Sequence, residues 1–279
     1  MRILLIGKKG LLGAEIVNVF KDKKHEFFAV GHEELDITNK DAVKNLLNDI
    51  KPELVINSAA FTYVDECEIK RDFVMEINGN ANRNLAALCS NLGAHLLYLS
   101  TDYVFEGTQK EGYNEDDTPS PINVYGESKL LGEKLIQENT DKFYIIRTSW
   151  LFGMQGRNFV KTMLDLSKDK KEITVVDDQF GKPTYSADLA EEIYNLINKE
   201  EGKMPDSGIF HITNEGACSW YDFAKEIFEI KGLNVELKPI STDDFARPAR
   251  RPTFSILNNT KLPKLRSYKE ALREYLKLL

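Results

Sequence analysis

The amino-acid sequence predicts an α/β protein, a doubly wound and mainly parallel sheet followed by a smaller C-terminal lobe. Three features carry the expectation. Short apolar runs alternate with helical patterns through the first half of the 279 residues, and runs apolar on both faces are what buried parallel strands joined by crossover helices look like. The first run ends in a glycine-spaced turn that opens a helix. After Trp150 the alternation loosens, as expected of a second, smaller unit.

In order, the strands are "RILLIG" (2–7), "EFFAVG" (26–31), "LVINSA" (54–59), "HLLYLS" (95–100) and "FYIIRTSW" (143–150), with helices over 11–21, 41–49, 71–92 and 123–138. Residues 1–150 therefore read as a nucleotide-binding sheet of the Rossmann type. Residues 151–279 read mainly as a substrate lobe, with helices over 158–167, 186–198 and 219–230, strands "EITVV", "GIFHIT" and "VELKPI", the loop "ARPARRPTF" and a last helix. Segments of this half are expected to return to the first sheet.

Bulk properties narrow the class. Lysine and arginine number 37 against 44 aspartates and glutamates, a formal charge of −7 without a basic run, which argues against a nucleic-acid or membrane partner and for a small-molecule ligand. No stretch reaches the length of a membrane span, and "MRILLIGKKG" is too short an apolar run for a signal-peptide core. Three widely spaced cysteines, Cys67, Cys89 and Cys218, fit reduced thiols in a cytoplasmic protein better than disulfides or a metal site.

The first turn, "GKKGLLG", spaces Gly7, Gly10 and Gly13 three and three, a variant of the two-and-three spacing that lets backbone amides approach a pyrophosphate at a helix N-terminus. At the end of the second strand, where a carboxylate would hold a ribose 2′-OH, stand Gly31 and His32, with Glu33 next. With Lys8 and Lys9 in the loop, this leans toward a 2′-phosphate and so toward NADPH, with NADH as the alternative. Ser58, Ala59 and Ala60 are small where a flat ring or ribose needs close approach. Ser100, Thr101 and Asp102 end the fourth strand, on the side of the sheet where such folds bind ligands.

Twenty-odd residues later, "NVYGESKLLGEK" places Tyr125 four residues before Lys129, on one face of a helix. The spacing alone is weak, since it recurs at Tyr221 and Lys225 in a chain with 11 tyrosines. Its place after Thr101 gives it meaning. A tyrosine that acts as a catalytic acid has to give up its proton, and a neighbouring ammonium is expected to lower its pKa toward neutrality.

Taken in order, "GKKGLLG", "STDYVF", "YGESK" and "RTSW" resemble the extended short-chain dehydrogenase/reductase family. More narrowly, "NSAAFTYVDECE", "STDYVFEG", "NVYGESKLLGEK", "RTSWLFG", "DDQFGKPT" and "RPTFSIL" are similar to the dTDP-4-dehydrorhamnose reductases over nearly the whole chain. The resemblance implies NADPH-dependent reduction of dTDP-4-dehydro-β-L-rhamnose to dTDP-L-rhamnose. It implies Thr101, Tyr125 and Lys129 as the catalytic set, with the last two also on the cofactor. Cofactor contacts are expected from Gly7, Gly10, Leu11, Leu12, Gly13, His32, Asp36, Ile37, Ala59, Ala60 and Phe61. Sugar-nucleotide contacts are expected from Thr101, Asp102, Trp150, Gln179 and Arg251, and Trp150 is equally a candidate core residue. Tyr221 and Lys225 match no motif of the family and read as structural.

Neighbours with other chemistry share the motifs. Dehydratases follow the threonine with Asp-Glu, whereas Tyr103 follows Asp102 here. Another nucleotide-sugar reductase or epimerase, and a non-catalytic regulatory subunit of methionine adenosyltransferase, stand as alternatives. Some reductases of this family hold Mg²⁺ between glutamates at a dimer contact. Glu15 lies where one such glutamate could be, but the rest of that pattern is not recognisable, so no metal ligand is assigned, and metal dependence and the choice between monomer and homodimer both stand open.

Overall fold

The structure, a computed structural model, describes residues 1–198 and 206–279. In chain order, β1 (Arg2–Ile6) leads through the glycine turn into α1 (Leu11–Phe20), β2 (Glu26–Val30) into α2 (Lys40–Ile50), and β3 (Leu54–Asn57) into α3 (Val64–Ile69). Then come α4 (Arg71–Val74), a π-helical turn (Met75–Asn80), α5 (Ala81–Leu92), β4 (His95–Thr101), α6 (Val124–Asn139) and β5 (Phe143–Thr148). The rest holds β6 (Leu151–Phe152), α7 (Phe159–Asp169), β7 (Glu172–Val176), β8 (Phe180–Gly181), β9 (Thr184–Tyr185), α8 (Ser186–Ile197), β10 (Gly208–His211), β11 (Cys218–Ser219), α9 (Trp220–Lys231), β12 (Glu236–Ile240) and α10 (Tyr268–Lys277).

The main sheet is all parallel, in the order β10-β5-β4-β3-β1-β2. Both faces are covered, which is why its strands lack alternation. Leu12, Ile16 and Phe20 of α1 and Leu189 and Ile193 of α8 pack on one face; Val43 and Leu47 of α2, Leu85 and Cys89 of α5 and Ile136 of α6 pack on the other. A further apolar cluster joins α7, α9 and α10 through Val160, Met163, Phe223, Ile227, Leu272 and Tyr275. The strand order reverses between β1 and β3, the place where open α/β sheets form a crevice beyond their carboxyl ends.

One helix differs from expectation. Residues 71–92 form α4, the π-turn and α5 rather than a single α-helix. The carbonyl of Asn78, inside the π-turn, accepts hydrogen bonds from the Tyr98 hydroxyl and the Asn82 side chain, both at 2.8 Å, so side chains supply bonds to the backbone there. Such π-turns recur at functional sites. β6, β8, β9 and β11, two residues each, carry no period for a sequence to show. All three cysteines are buried and free, and burial pushes the Cys89 thiol up to about 12.

Candidate active site

The crevice between β1 and β3 begins with the glycine turn. Gly7 has φ +98, and a Cβ there would lie 2.7 Å from Ser58 Oγ and 2.8 Å from Ala59 N; a Cβ on Gly13 would lie 2.1 Å from the Gly7 carbonyl oxygen. The chain's own packing requires both glycines. Gly10 differs: a Cβ there meets only the Gly7 oxygen, at 3.4 Å. Its side-chain space is a cavity of about 440 Å³ that Gly10, Leu11, Leu12, Gly13 and Ala60 share with Thr101, Asp102, Tyr125 and Lys129. A glycine cradle beside α1, opening onto a cavity of that size, fits the phosphates and nicotinamide of a dinucleotide. Gly10→Val should lower NADPH affinity at least about tenfold while costing only about 1 kcal/mol of stability, the usual loss when a favourable N-cap residue is replaced by a poor one. Cofactor fluorescence titration and urea denaturation check the two halves.

The other expected cofactor residues, Ala59, Phe61, His32, Asp36 and Ile37, do not line this cavity. Ala59 N donates to Asn57 Oδ1 at 3.1 Å. Asn78 pins the Phe61 backbone from both sides, accepting from its amide at 2.8 Å and donating to its carbonyl at 2.9 Å. Near the end of β2, Ile37 is buried in the core, His32 is exposed, and Asp36 accepts from the Thr38 amide and hydroxyl at 2.9 and 2.8 Å, which hold its carboxyl below the ordinary value. The loop lysines are not free cations. Lys8 pairs with Glu34, and Lys9 with Glu33 at 2.7 Å; Glu34 also accepts from the Gly31 amide at 2.5 Å.

Thr101 ends β4, and its hydroxyl donates to Asp102 Oδ1 at 2.9 Å while accepting from the Tyr103 amide at 3.3 Å. Burial pushes the Asp102 carboxyl up to about 7 against the opposing pull of the Ser255 and Thr101 hydroxyls. The helix α6 is capped by Asn123, whose Oδ1 accepts from the Gly126 amide at 2.8 Å, so Tyr125 lies in a fixed first turn. Its ring meets that of Tyr103 edge-on, with centroids 5.9 Å apart.

Lys129, 2% exposed, places its Nζ 4.0 Å from the Tyr98 ring centroid. Burial pushes its ammonium down to about 7, and the carboxylate of Glu133, one turn further along α6, opposes that fall. The expected lowering of the Tyr125 pKa is not found. Burial pushes the phenol above its ordinary value, the hydrogen bond to Thr101 opposes this, and the Asp102 charge adds to it. The reason is that the same desolvation disfavours phenolate and ammonium alike. Tyr125 is thus protonated at neutral pH.

The buried lysine makes stability depend on pH. Between about 7 and 10.5 the unfolded chain binds the proton that native Lys129 has lost, so stability rises with pH there. Below about 7 the full cost of burying an ammonium is felt. Lys129→Met should therefore stabilise the protein by about 2–4 kcal/mol at pH 6, and the gain should shrink toward pH 10. Urea denaturation at several pH values checks it, and a pH-independent gain contradicts the assignment.

Glu133, which the sequence did not single out, is 1% exposed. It accepts two bonds from Arg147, at 3.0 and 2.7 Å, and one from Ser100 at 2.5 Å. Asn78, equally unforeseen, is wholly buried and donates to Ser128 Oγ at 3.1 Å, tying the π-turn to the helix that carries Tyr125. The available signal for Glu133 was its register, a third member of the i, i+4 series on α6.

A second cavity, of about 800 Å³, adjoins the first and shares Tyr103 and Trp220 with it. Gln179 and Arg251 line this one. Gln179 Nε2 donates to Thr242 Oγ1 at 3.0 Å, and Arg251 pairs with Asp65. Trp150 has φ +48, rare for a bulky residue, and stacks face to face on Trp220 with centroids 3.4 Å apart, between the two cavities. The second tyrosine–lysine pair is remote from this chemistry: Lys225 pairs with Glu229 at 3.9 Å on exposed α9 surface. Glu15 is buried on α1, and among the described residues no three metal-ligating side chains converge.

Residues 1–279 match the family described as RmlD substrate binding domain. The chain is 41% identical, over 94% of its length and 92% of the relative's, to dTDP-4-dehydrorhamnose reductase of Aggregatibacter actinomycetemcomitans. Among solved structures, a dTDP-4-dehydrorhamnose reductase ortholog of Clostridium acetobutylicum matches with a TM-score of 0.95 and 44% identity, covering 100% of this chain and 99% of that one. The Bacillus anthracis enzyme in complex with NADP matches at 0.94 and 39%, with the same coverage. On this full-length match the chain belongs to the RmlD family, among the dTDP-4-dehydrorhamnose reductases of the extended short-chain dehydrogenase/reductases.

Proposed function

We propose that this protein reduces dTDP-4-dehydro-β-L-rhamnose to dTDP-L-rhamnose with NADPH. The observation that carries the reading is the convergence of Thr101, Tyr125 and Lys129 on the cavity that also contains the glycine cradle, with a larger cavity adjoining it for the rest of a nucleotide-sugar. Bound NADPH supplies the hydride. Gly10 would leave room for its phosphates, and Lys129 would hold its ribose. Thr101 hydrogen-bonds the sugar 4-oxygen, and Tyr125, kept protonated by burial, donates the proton as charge develops on that oxygen. To bond the sugar 4-oxygen, the Thr101 hydroxyl, which donates to Asp102 Oδ1, turns its one proton from Asp102 to that oxygen.

Arg251 and Gln179 line the wall that receives the nucleotide diphosphate, with Trp150 and Trp220 between it and the reacting centre. Residues 151–279 supply most of that wall. NADPH is preferred over NADH because His32, Lys8 and Lys9 surround the end of β2. Their carboxylate partners are exposed, and exposed pairs are worth about 0–1 kcal/mol, so a 2′-phosphate can displace them. The protein works in the cytoplasm, as monomer or homodimer, without a nucleic-acid partner; no described helix is long and apolar enough to cross a membrane.

The test is nicotinamide absorbance with the 4-keto sugar nucleotide generated in place by upstream enzymes. Oxidation that requires this substrate, faster with NADPH than with NADH, is expected. Cofactor binding without oxidation contradicts the reading.

A further inference from the structure

Asp65, the second residue of α3, holds a segment almost two hundred positions away. Its Oδ2 accepts from Arg247 Nη1 at 3.1 Å and its Oδ1 from the Ala249 amide at 3.3 Å, while Arg251 Nη1 bonds the same Oδ1. Arg251 also donates to the Ala249 carbonyl at 2.6 Å, closing a small ring of bonds. A second pin lies beside it: Asn123, which caps the helix carrying Tyr125, donates through Nδ2 to the Arg250 carbonyl at 2.8 Å.

These contacts bridge the two cavities. Val64, next to Asp65, lines the smaller one; Arg247, Ala249 and Arg251 line the larger. Arg251 shares the wall of the larger cavity with Tyr103, whose phenol feels its charge, and Tyr103 packs edge-on against Tyr125. The Arg251 side chain is only 11% exposed, so its charge is committed to this arrangement. Burial raises the Asp65 carboxyl, but the bonds from Arg251, Ala249 and Arg247 outweigh it and hold the group below its ordinary value. Asp65 is ionised at neutral pH, as a clamp on two guanidiniums must be.

We propose that Asp65 is a positioning residue: its carboxylate clamps residues 247–251 against the start of α3, beside the Asn123 pin at the start of α6, and so sets the wall of the larger cavity for the nucleotide-sugar. The proposal rests on the reductase reading above, and its test separates the two. Trypsin does not cut before proline, and Arg247 and Arg251 each precede one, which leaves the Arg250–Arg251 bond as the site in this segment.

In Asp65→Asn, cleavage after Arg250 should accelerate about tenfold, and KM for the nucleotide-sugar should rise by a similar factor, far more than kcat falls. Arg247→Gln, which removes one exposed arm of the clamp, should shift both quantities the same way but less. A wild-type cleavage rate in folded Asp65→Asn overturns the clamp. A raised KM without faster cleavage overturns it too, by showing that Asp65 meets the substrate itself, and so does an equal loss of NADPH affinity. If the parent protein turns over no nucleotide-sugar, the reductase reading fails while the cleavage comparison still decides the clamp.

Discussion

Tyr125→Phe is expected to lower kcat by about 10²–10⁴-fold, the usual contribution of a positioned general acid, with NADPH affinity changed little. Burial raises the phenol above its ordinary pKa, so its proton is present at neutral pH, and the phenol lines the same cavity as Thr101. Phenylalanine keeps the ring contact with Tyr103 and removes only the hydroxyl. Steady-state rates set beside fluorescence titration of the cofactor separate chemistry from binding. Near wild-type turnover with normal cofactor binding would remove Tyr125 from the mechanism.

Glu133→Gln should destabilise the protein by about 3–5 kcal/mol, because it leaves the Arg147 guanidinium buried without a counter-ion. Arg147 is 2% exposed, and it also donates to the Glu115 carbonyl at 3.3 Å. Adding Arg147→Met should recover much of the loss, since a buried pair replaced by apolar side chains is often neutral in stability. Urea denaturation of both variants checks this. A single variant as stable as the parent would mean that water or another group satisfies Arg147.

The fold was legible where burial imposed a pattern. Runs such as "RILLI" and "LVIN" are apolar because β1 and β3 are covered on both faces, and Asn123, Asn158 and Ser219 begin α6, α7 and α9 as side-chain caps. The loop, the threonine and the tyrosine–lysine pair were legible because a short spacing places each. Asp65 was not. Its partners Arg247 and Arg251 lie 182 and 186 residues away, and no local period marks a bond of that span. The pKa of Tyr125 was misjudged for a related reason: spacing shows that Lys129 is near, but only the fold shows how little water reaches either group. Trp220 was likewise hidden, since its place against Trp150 depends on the docking of α9.

Reduction with NADPH deuterated at the transferable position, followed by locating the label in the sugar product, tests the central claim most directly. The account predicts one deuterium on carbon 4 of the 6-deoxysugar for each NADPH oxidised, and loss of that transfer in Tyr125→Phe. An altered sugar carrying no deuterium, formed without net cofactor consumption, would show epimerase chemistry and contradict it.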